Sequence, residues 1–439
     1  MVAADKIVKY AEKEGAQEAE VICEDVQYTH VKFELGEPKQ TFLGKTTEYA
    51  LRVVVDSALG FSYFTGDWKK AVQEAITLAK TREKDEKWSQ FPSDRPVESL
   101  NLFRNSVKDV SIDTVISDMQ ETSKGIKDEY IVASNIDCQV GYSHIEISNS
   151  SGIYKENSRS FTNMRVMCRA ADTDYGMGYT YGFSLGYDID MYQKGQIAKE
   201  KALHQLGKQN TESGVYPVIL SPKVFSSLLV CAVMPSFLGH NKVEGRSSLV
   251  TGQSVAADHI TVTENPLVEA PPGREFDDEG SPAQKIDVIH TGRVKNFLYD
   301  TYYGDTTSNG IRYSRYRGRI LRDPPRPCAT SLEVIGDMSA LDDMISGIDQ
   351  GLLIMEETNS HASKPQSGLF SIAVSSGFII KNGEITSPVK RCMVSGLAFE
   401  DLLPNTQKIS KEQELHRSFV YPTFVKTGYS LVDSLQVTA

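Results

Sequence analysis

The sequence FSIAVSSGFIIKNGEITSPVKRCMVSG occupies residues 370–396. Two apolar runs within it flank the pair Asn382 and Gly383. An Asn-Gly pair in this position favours a two-residue type I′ turn, because both residues tolerate a positive φ. The stretch therefore predicts an antiparallel β-hairpin in the C-terminal half of the chain.

Alternating apolar and polar residues predict further strands far from this hairpin. In the N-terminal part the alternation runs through EAEVICEDV (18–26), YTHVKFEL (28–35) and TFLGKTTEYALRVVVD (41–56), and it returns between about 131 and 188. Gly or Asp residues interrupt these segments, as the turns of an antiparallel meander do.

Helical periodicity separates the strand-rich segments. Helices with strands beside them, but without regular βαβ alternation, predict an α+β fold. A break near 210–216 predicts two domains, residues 1–212 and 213–439, each with antiparallel strands and a few helices. The predicted helices lie near residues 4–15, 68–84, 110–129, 190–208, 222–239 and 336–354.

Composition excludes several classes of protein. Lys and Arg number 47 against 58 Asp and Glu, so the net charge of −11 argues against direct binding to nucleic acid. No run approaches the ~20 apolar residues of a membrane helix, and the opening MVAADKIVKYAEKEGA lacks the apolar core of a signal peptide. Six scattered cysteines predict reduced thiols. We expect a cytoplasmic protein without a membrane contact.

Histidine spacing offers one weak candidate for a metal site. A zinc hydrolase commonly places two histidines one helical turn apart, and no two of the eight histidines lie so close. His240 and Glu244 would share a face of a helix. However, the flanking Gly239 and Gly245 favour a loop for this segment.

Two charged segments are further candidates. Asp277, Asp278 and Glu279 precede Gly280 and could hold a cation or receive a substrate amine, although a solvated turn is the simpler interpretation. An arginine-rich stretch follows, in which arginines alternate with tyrosines. It suits a peptide or an acidic partner surface, and an irregular surface loop is the alternative. Its arginines are Arg312, Arg315, Arg317, Arg319, Arg322 and Arg326.

Cys392 is a candidate nucleophile because Lys390 and Arg391 precede it, and neighbouring positive charge favours the thiolate. A catalytic thiolate also needs a base or a metal. The sequence identifies neither for Cys392.

Taken together, several segments resemble the TldD/PmbA family, and within it the PmbA (TldE) branch, once called modulator of DNA gyrase. They keep the same order and similar spacing over about residues 215–402. The segments are FDDEGSPAQ (276–284), IHTGRVKNFLYD (289–300), PRPCATSLEVIGDMSALDDMISGIDQGLLI (325–354) and SGLFSIAVSSGFIIKNGEITSPVK (367–390), followed by VSG (394–396).

The resemblance implies a two-domain α+β protein that dimerises, with a TldD-type partner forming a peptidase for unfolded or small peptides. In the family's catalytic branch, the first helix of the C-terminal domain carries His-Glu-x-x-x-His, and a later cysteine completes the zinc site. Here that helix reads PKVFSSLLVCAVMPSFLGH (222–240). We therefore expect no metal in this chain, zinc on a TldD-type partner, and a non-catalytic role.

On this interpretation, the loops containing Asp277–Glu279 and Arg312–Arg322 face an extended peptide or the partner. One alternative is a peptidase in its own right, using Cys392 or a metal held by His240, Glu244 and His361. A second is a regulatory binder of a DNA-associated protein, as the older family name implies. A homodimer is an alternative to the hetero-oligomer.

Overall fold

The computed structural model describes residues 2–304, 307–314 and 318–439. In the N-terminal half (2–212) six strands form one sheet in the order β3-β2-β1-β4-β5-β6, and all neighbouring strands are antiparallel. The strands are β1 Glu18–Glu34, β2 Glu37–Val55, β3 Ala58–Phe64, β4 Ile131–Asn149, β5 Tyr154–Ala171 and β6 Tyr175–Ser184. The α-helices are α1 Ala4–Lys13, α2 Trp68–Thr81, α3 Ile112–Ile126 and α4 Met191–Leu203, with a 3₁₀ turn at Asn105–Asp109.

The two faces of this sheet have different neighbours. Strand β1 shows the division, because successive side chains point to opposite faces. Val21 and Cys23 pack with α1 and α2, whereas Ile22 packs against Phe276 and Leu321 of the C-terminal half. The strand meander therefore presents one face to the helices and the other to the rest of the chain.

The C-terminal half (213–439) is richer in strands. Its strands are β7 Gly214–Leu220, β8 Thr261–Glu264, β9 Ile286–His290, β10 Arg293–Val294, β11 Gly310–Ile311, β12 Tyr313–Ser314, β13 Gly318–Arg319, β14 Arg326–Pro327, β15 Ser331–Ile335, β16 Met338–Ser339, β17 Gln350–Thr358, β18 Leu369–Lys381, β19 Glu384–Pro388, β20 Met393–Leu397, β21 Thr406–Arg417 and β22 Phe424–Thr438. Its α-helices are α5 Pro222–Leu228, α6 Gly239–Val243 and α7 Leu341–Ser346, with π turns at Leu229–Val233 and Ala398–Leu402 and 3₁₀ turns at Met234–Phe237 and Ser360–Ala362.

Strand pairing in this half closes on itself. Strand β7 pairs with β17, and the pairing continues through β18, β20 and β22 back to β7. Helix α5 and the π turn that follows it contribute buried apolar residues to the main core here. The α+β fold class is confirmed.

The predicted hairpin is confirmed by strands β18 and β19, which are antiparallel. Asn382 and Gly383 have φ values of 51° and 79°, the positive values that the turn requires. No α-helix in the described part of the chain is long and apolar enough to cross a membrane.

The predicted helix over 222–239 is only partly correct. The N-cap is as expected, since Ser221 Oγ accepts a hydrogen bond from Val224 N at 3.3 Å and Pro222 opens the helix. The α-helical geometry ends at Leu228 and continues as a π turn and a 3₁₀ turn. Pro235 lies in that last turn, and it has no N–H for the helical ladder.

Candidate functional site

The acidic segment is buried. Asp277, Asp278 and Glu279 are 1%, 6% and 0% exposed, so the solvated-turn interpretation is wrong. Asp277 Oδ1 accepts hydrogen bonds from the backbone N–H groups of Glu279 (3.0 Å) and Ser281 (2.9 Å). The carboxyl group of Asp277 thus holds its own turn together, as aspartates in tight turns commonly do.

Glu279 belongs to a chain of ion pairs that crosses between the two halves. Arg52 Nη2 lies 2.8 Å from Glu279 Oε1 and 2.6 Å from Glu20 Oε2. Arg312 Nη2 in turn lies 2.8 Å from Glu20 Oε1. All four side chains are almost fully buried, so each charge depends on its partners for compensation.

Asp278 enters a second, more open set of ion pairs. Arg319 Nη2 lies 2.7 Å from Asp278 Oδ1, and Arg319 Nη1 lies 2.6 Å from Glu24 Oε2. Arg312 N donates to Asp278 Oδ2 at 2.7 Å, which ties the two sets together. We call these seven residues the ion-pair cluster: Glu20, Glu24, Arg52, Asp278, Glu279, Arg312 and Arg319.

The two predicted segments therefore meet each other as well as the N-terminal sheet. For Arg312, fully buried, the surface-loop alternative is wrong. Arg315 and Arg317 lie outside the described residues. Gly310 explains how the segments come so close, since a Cβ at this position would lie 2.3 Å from Glu279 Oε2.

Sequence reasoning missed the N-terminal members of the cluster. Arg52 interrupts the apolar run ALRVVV (50–55) of β2, where a charge is unusual, whereas Glu20 lies among other acids in an alternating segment of β1. The position of Arg52 was the available signal. It did not reveal the partners, because Arg52 and Glu279 lie 227 residues apart in the chain and Glu20 and Arg312 lie 292 apart.

An open groove adjoins the ion-pair cluster. It has a volume of about 510 Å³ and lies between strands of the N-terminal sheet and loops of the C-terminal half. Asp278 and Arg319 line it, together with the aromatic side chains of Tyr28 and Phe161 and the amide of Asn163. We call it the inter-sheet groove. It offers charged, aromatic and amide groups along one surface.

Burial changes the protonation of two carboxyl groups near the cluster. Desolvation, aided by the negative charge of Glu279, raises the pKa of Asp277 and the pKa of Asp300 to about 8. Burial also lowers the pKa of Arg312 to about 10, against the opposing attraction of Glu20. Arg312 therefore stays positively charged at neutral pH, whereas burial favours the protonated form of Asp277 and of Asp300.

His240 and Glu244 stand on and directly after a helix, not in a loop, which corrects the prediction from the flanking glycines. Helix α6 spans Gly239–Val243, and Gly245 takes a positive φ only after it ends. Glu244 Oε1 accepts a hydrogen bond from the Tyr303 hydroxyl at 2.8 Å. Burial lowers the pKa of His240 to about 4, so its imidazole is neutral at pH 7.

The four residues of the alternative site do not come together as metal ligands. Among residues 2–304, 307–314 and 318–439, no three His, Cys, Asp or Glu side chains are placed to hold a metal ion. His240 and Glu244 line a cavity to which His361 and Cys392 do not contribute. Cys392 is buried, and burial raises the pKa of its thiol to about 11, which contradicts the expected thiolate.

Helix α5 and its π turn do not fit zinc. From Pro222 to Val233 the side chains include no imidazole and no carboxylate. Leu228, Leu229 and Val230 are instead buried in the main core of the C-terminal half. Zinc sites in hydrolases are built from such nitrogen and oxygen ligands or from thiolates held together, so this helix serves packing.

Comparison with known proteins shows which proteins this chain is similar to. It matches the family models for PmbA/TldA metallopeptidase domain 1 over residues 19–79, the central domain over 105–206 and the C-terminal domain over 213–438. A zinc metalloprotease TldD homolog of Saccharolobus solfataricus is 22% identical, covering 89% of this chain and 88% of its own. A metalloprotease PmbA homolog of Haemophilus influenzae is 23% identical, covering 87% and 86%.

Solved structures show the same fold. TldE from Thermococcus kodakarensis superposes with a TM-score of 0.90 at 21% identity and covers 100% of both chains. A Thermotoga maritima structure, whose name relates it to a modulator of DNA gyrase, gives 0.87 at 20% identity and covers 99% of both. Because the C-terminal model alone spans more than half of the sequence, this chain belongs to the PmbA/TldD family of metallopeptidase homologues.

Proposed function

We propose that this chain is the subunit without a metal site in a TldD-type peptidase, and that it helps to enclose the peptide. One observation carries the proposal: helix α5 and its π turn bury apolar residues at the position that the family resemblance assigns to the zinc motif of the catalytic branch. Activation of water by zinc needs ligands that hold the ion. The partner subunit would supply them.

The inter-sheet groove supports the second part of the proposal. Asn163 offers a side-chain amide that can pair with the polar groups of a peptide backbone, beside Asp278 and Arg319, which are already paired with each other. Tyr28 and Phe161 offer ring surfaces for apolar side chains. An extended segment passing along this groove would meet both kinds of contact in succession.

The partner is inferred from the family. A TldD-type chain is the first choice, and a second copy of this chain is the alternative. The net charge of −11 favours a protein partner over direct contact with nucleic acid. We also propose that the chain divides into two domains between residues 212 and 213 and that the protein is cytoplasmic.

Reconstitution tests this function. The chain is purified alone and together with the TldD-type protein of the same cell, and cleavage of an unfolded peptide is followed with and without a chelator. We expect chelator-sensitive cleavage only in the mixture, in a stoichiometric complex on gel filtration. Chelator-sensitive cleavage by the chain alone would overturn the proposal.

A variant in the inter-sheet groove tests whether the peptide passes there. Asn163→Trp should fill the inter-sheet groove and lower cleavage by the complex at least about tenfold, without dissociating it, because a peptide can no longer pass. Lys124→Trp, on the exposed surface of α3, is the matched control and should leave cleavage unchanged. Full activity of Asn163→Trp would remove the groove from the peptide path.

A further inference from the structure

A second cavity, of about 420 Å³, lies on another side of the contact between the two halves. It shares none of its lining residues with the inter-sheet groove. We call it the His240 pocket and define it by six of its lining residues. These are Phe61, Trp88, His240, Tyr302, Tyr303 and Arg326.

The walls of the His240 pocket present ring surface, because their polar atoms are already used. The Tyr302 hydroxyl donates to Asp85 Oδ2 at 2.9 Å, and the Tyr303 hydroxyl donates to Glu244 Oε1 at 2.8 Å. Trp88 Nε1 donates to Glu18 Oε1 at 3.2 Å. A ligand would therefore meet apolar aromatic faces on this side of the pocket.

Positive charge predominates at the pocket. Arg52 is balanced by Glu20 and Glu279, and Arg246 is balanced by Glu244 at 2.6 Å. By contrast, Arg326 forms no ion pair within the described residues. The Arg326 guanidinium is therefore available for an anion that enters the pocket.

His240 adds a second polar group to the pocket. Its half-buried side chain lines the cavity. The Nδ1 atom is shielded from solvent and has no hydrogen-bond partner among the described residues, so a ligand does not reach it either. The neutral imidazole can instead carry its proton on Nε2 and donate from there to an acceptor.

The remaining acidic residue of the pocket, Asp300, does not repel a bound anion. Asp300 also lines the pocket, but burial raises its pKa to about 8, so it carries little negative charge at pH 7. Among the described lining residues, the cations without an ion pair are Arg326 and Arg82, and both are exposed. Arg326 is the one that also has no other side-chain hydrogen bond there, so we assign the pocket a ligand with a single negative charge. Arg82 is itself partly engaged, donating to the Leu59 carbonyl at 3.2 Å.

We propose that the His240 pocket binds a carboxylate attached to an aromatic or bulky apolar group, with Arg326 and His240 receiving the carboxylate and the rings enclosing the apolar part. Two sources share this chemistry: the C-terminal residue of a peptide and a small free aromatic acid. The site belongs to this chain alone, so it does not depend on the proposed peptidase partner.

Calorimetric titration of the isolated full chain tests the proposal. The probes are N-acetyl-alanyl-phenylalanine with a free carboxylate, the same compound as its amide, and 3-phenylpropionate. We expect the free carboxylate to bind at least about tenfold more tightly than the amide, since the ion pair with Arg326 is lost. Binding of phenylpropionate as well would identify a free-acid site, and its absence would identify a peptide terminus.

Variants of the two residues that receive the carboxylate provide a second test. Arg326→Gln and His240→Gln should each weaken the free carboxylate at least about tenfold, whereas Lys124→Gln should not change its affinity. Circular dichroism checks that each variant is folded. Equal affinity for the acid and the amide, no binding of any probe, or unchanged binding by Arg326→Gln would each overturn the proposal.

Discussion

The ion-pair cluster and helix α5 with its π turn are both deeply buried, yet their side chains are chemically opposite. The cluster concentrates charge at the contact between the two halves, and the helix carries apolar side chains into the core of one half. Charged residues in a motif therefore indicate catalysis only when they are not already paired with other residues of the protein. In this chain the charges fasten the structure, and the helix that family resemblance assigns to metal binding carries no imidazole and no carboxylate.

The largest loss of stability should follow from breaking the ion-pair cluster. Arg312→Ala leaves Glu20 without one of its two arginines and Asp278 beside a cavity, so we expect a loss of about 3–5 kcal/mol in the free energy of unfolding. Urea denaturation measures it. Lys124→Ala breaks the exposed pair with Glu121 and should change stability by less than about 0.5 kcal/mol. Equal effects of the two variants would mean that the cluster is not a structural fastening.

A somewhat smaller loss should follow from a truncation in helix α5. Leu228→Ala removes a fully buried side chain and leaves a cavity, for which we expect about 3 kcal/mol. Leu78→Ala, on the partly exposed face of α2, is the matched control and should cost less than about 1 kcal/mol. If Leu228→Ala were as mild as the control, helix α5 would not be a packing element.

The protonation of Asp300 makes the cluster region sensitive to pH. Burial raises the pKa of Asp300 from 3.8 to about 8, so the folded chain holds a proton that the unfolded chain releases. Stability contributed by this proton is complete below pH 3.8 and is lost as the pH rises through about 8.

Asp300→Asn should therefore flatten the fall in stability between about pH 6.5 and pH 8, and the difference from the unsubstituted chain should reach about 1–2 kcal/mol. The asparagine oxygen can still accept the hydrogen bond from Tyr303 N. Asp433→Asn, at an exposed position of β22, changes the net charge equally and should leave the pH profile unaltered. Parallel pH profiles for Asp300→Asn and the unsubstituted chain would contradict this assignment.

The smallest effect concerns the beginning of helix α5. Ser221→Ala removes the hydrogen bond from Val224 N and the one that Ser221 Oγ donates to the Met355 carbonyl, so we expect a loss of about 1–2 kcal/mol. Ser111→Ala removes an exposed N-cap of α3 and should cost about half as much. A larger loss for Ser111→Ala would show that the cap of α5 contributes little.

Local features were predictable from the sequence, and distant contacts were not. The turn at Asn382 and Gly383 follows from the φ preferences of two adjacent residues, so its hairpin could be placed directly. Helix α6 was missed because glycines at both ends are typical of loops, although Gly239 begins the helix and Gly245 follows its end.

The candidate site shows the same limit. The charged segments around Asp278 and Arg319 were recognised, but their burial depends on distant partners in β1 and β2. Arg52 lies 227 residues from Glu279, and Glu24 lies 295 residues from Arg319.

The expected low pKa of the Cys392 thiol was also wrong. Burial raises this pKa, and the effect of burial exceeds that of the exposed positive neighbours Lys390 and Arg391. Neither outcome is encoded in a short window of sequence.

The zinc content of the isolated chain decides whether helix α5 packs the core or holds a metal. The purified chain is incubated with equimolar zinc, passed through gel filtration, and analysed by mass spectrometry for metal content alongside an assay of peptide cleavage. We expect zinc far below one ion per chain and no chelator-sensitive cleavage, because helix α5 offers no imidazole or carboxylate ligands. One tightly held zinc per chain together with turnover would show that the chain is a metallopeptidase in its own right.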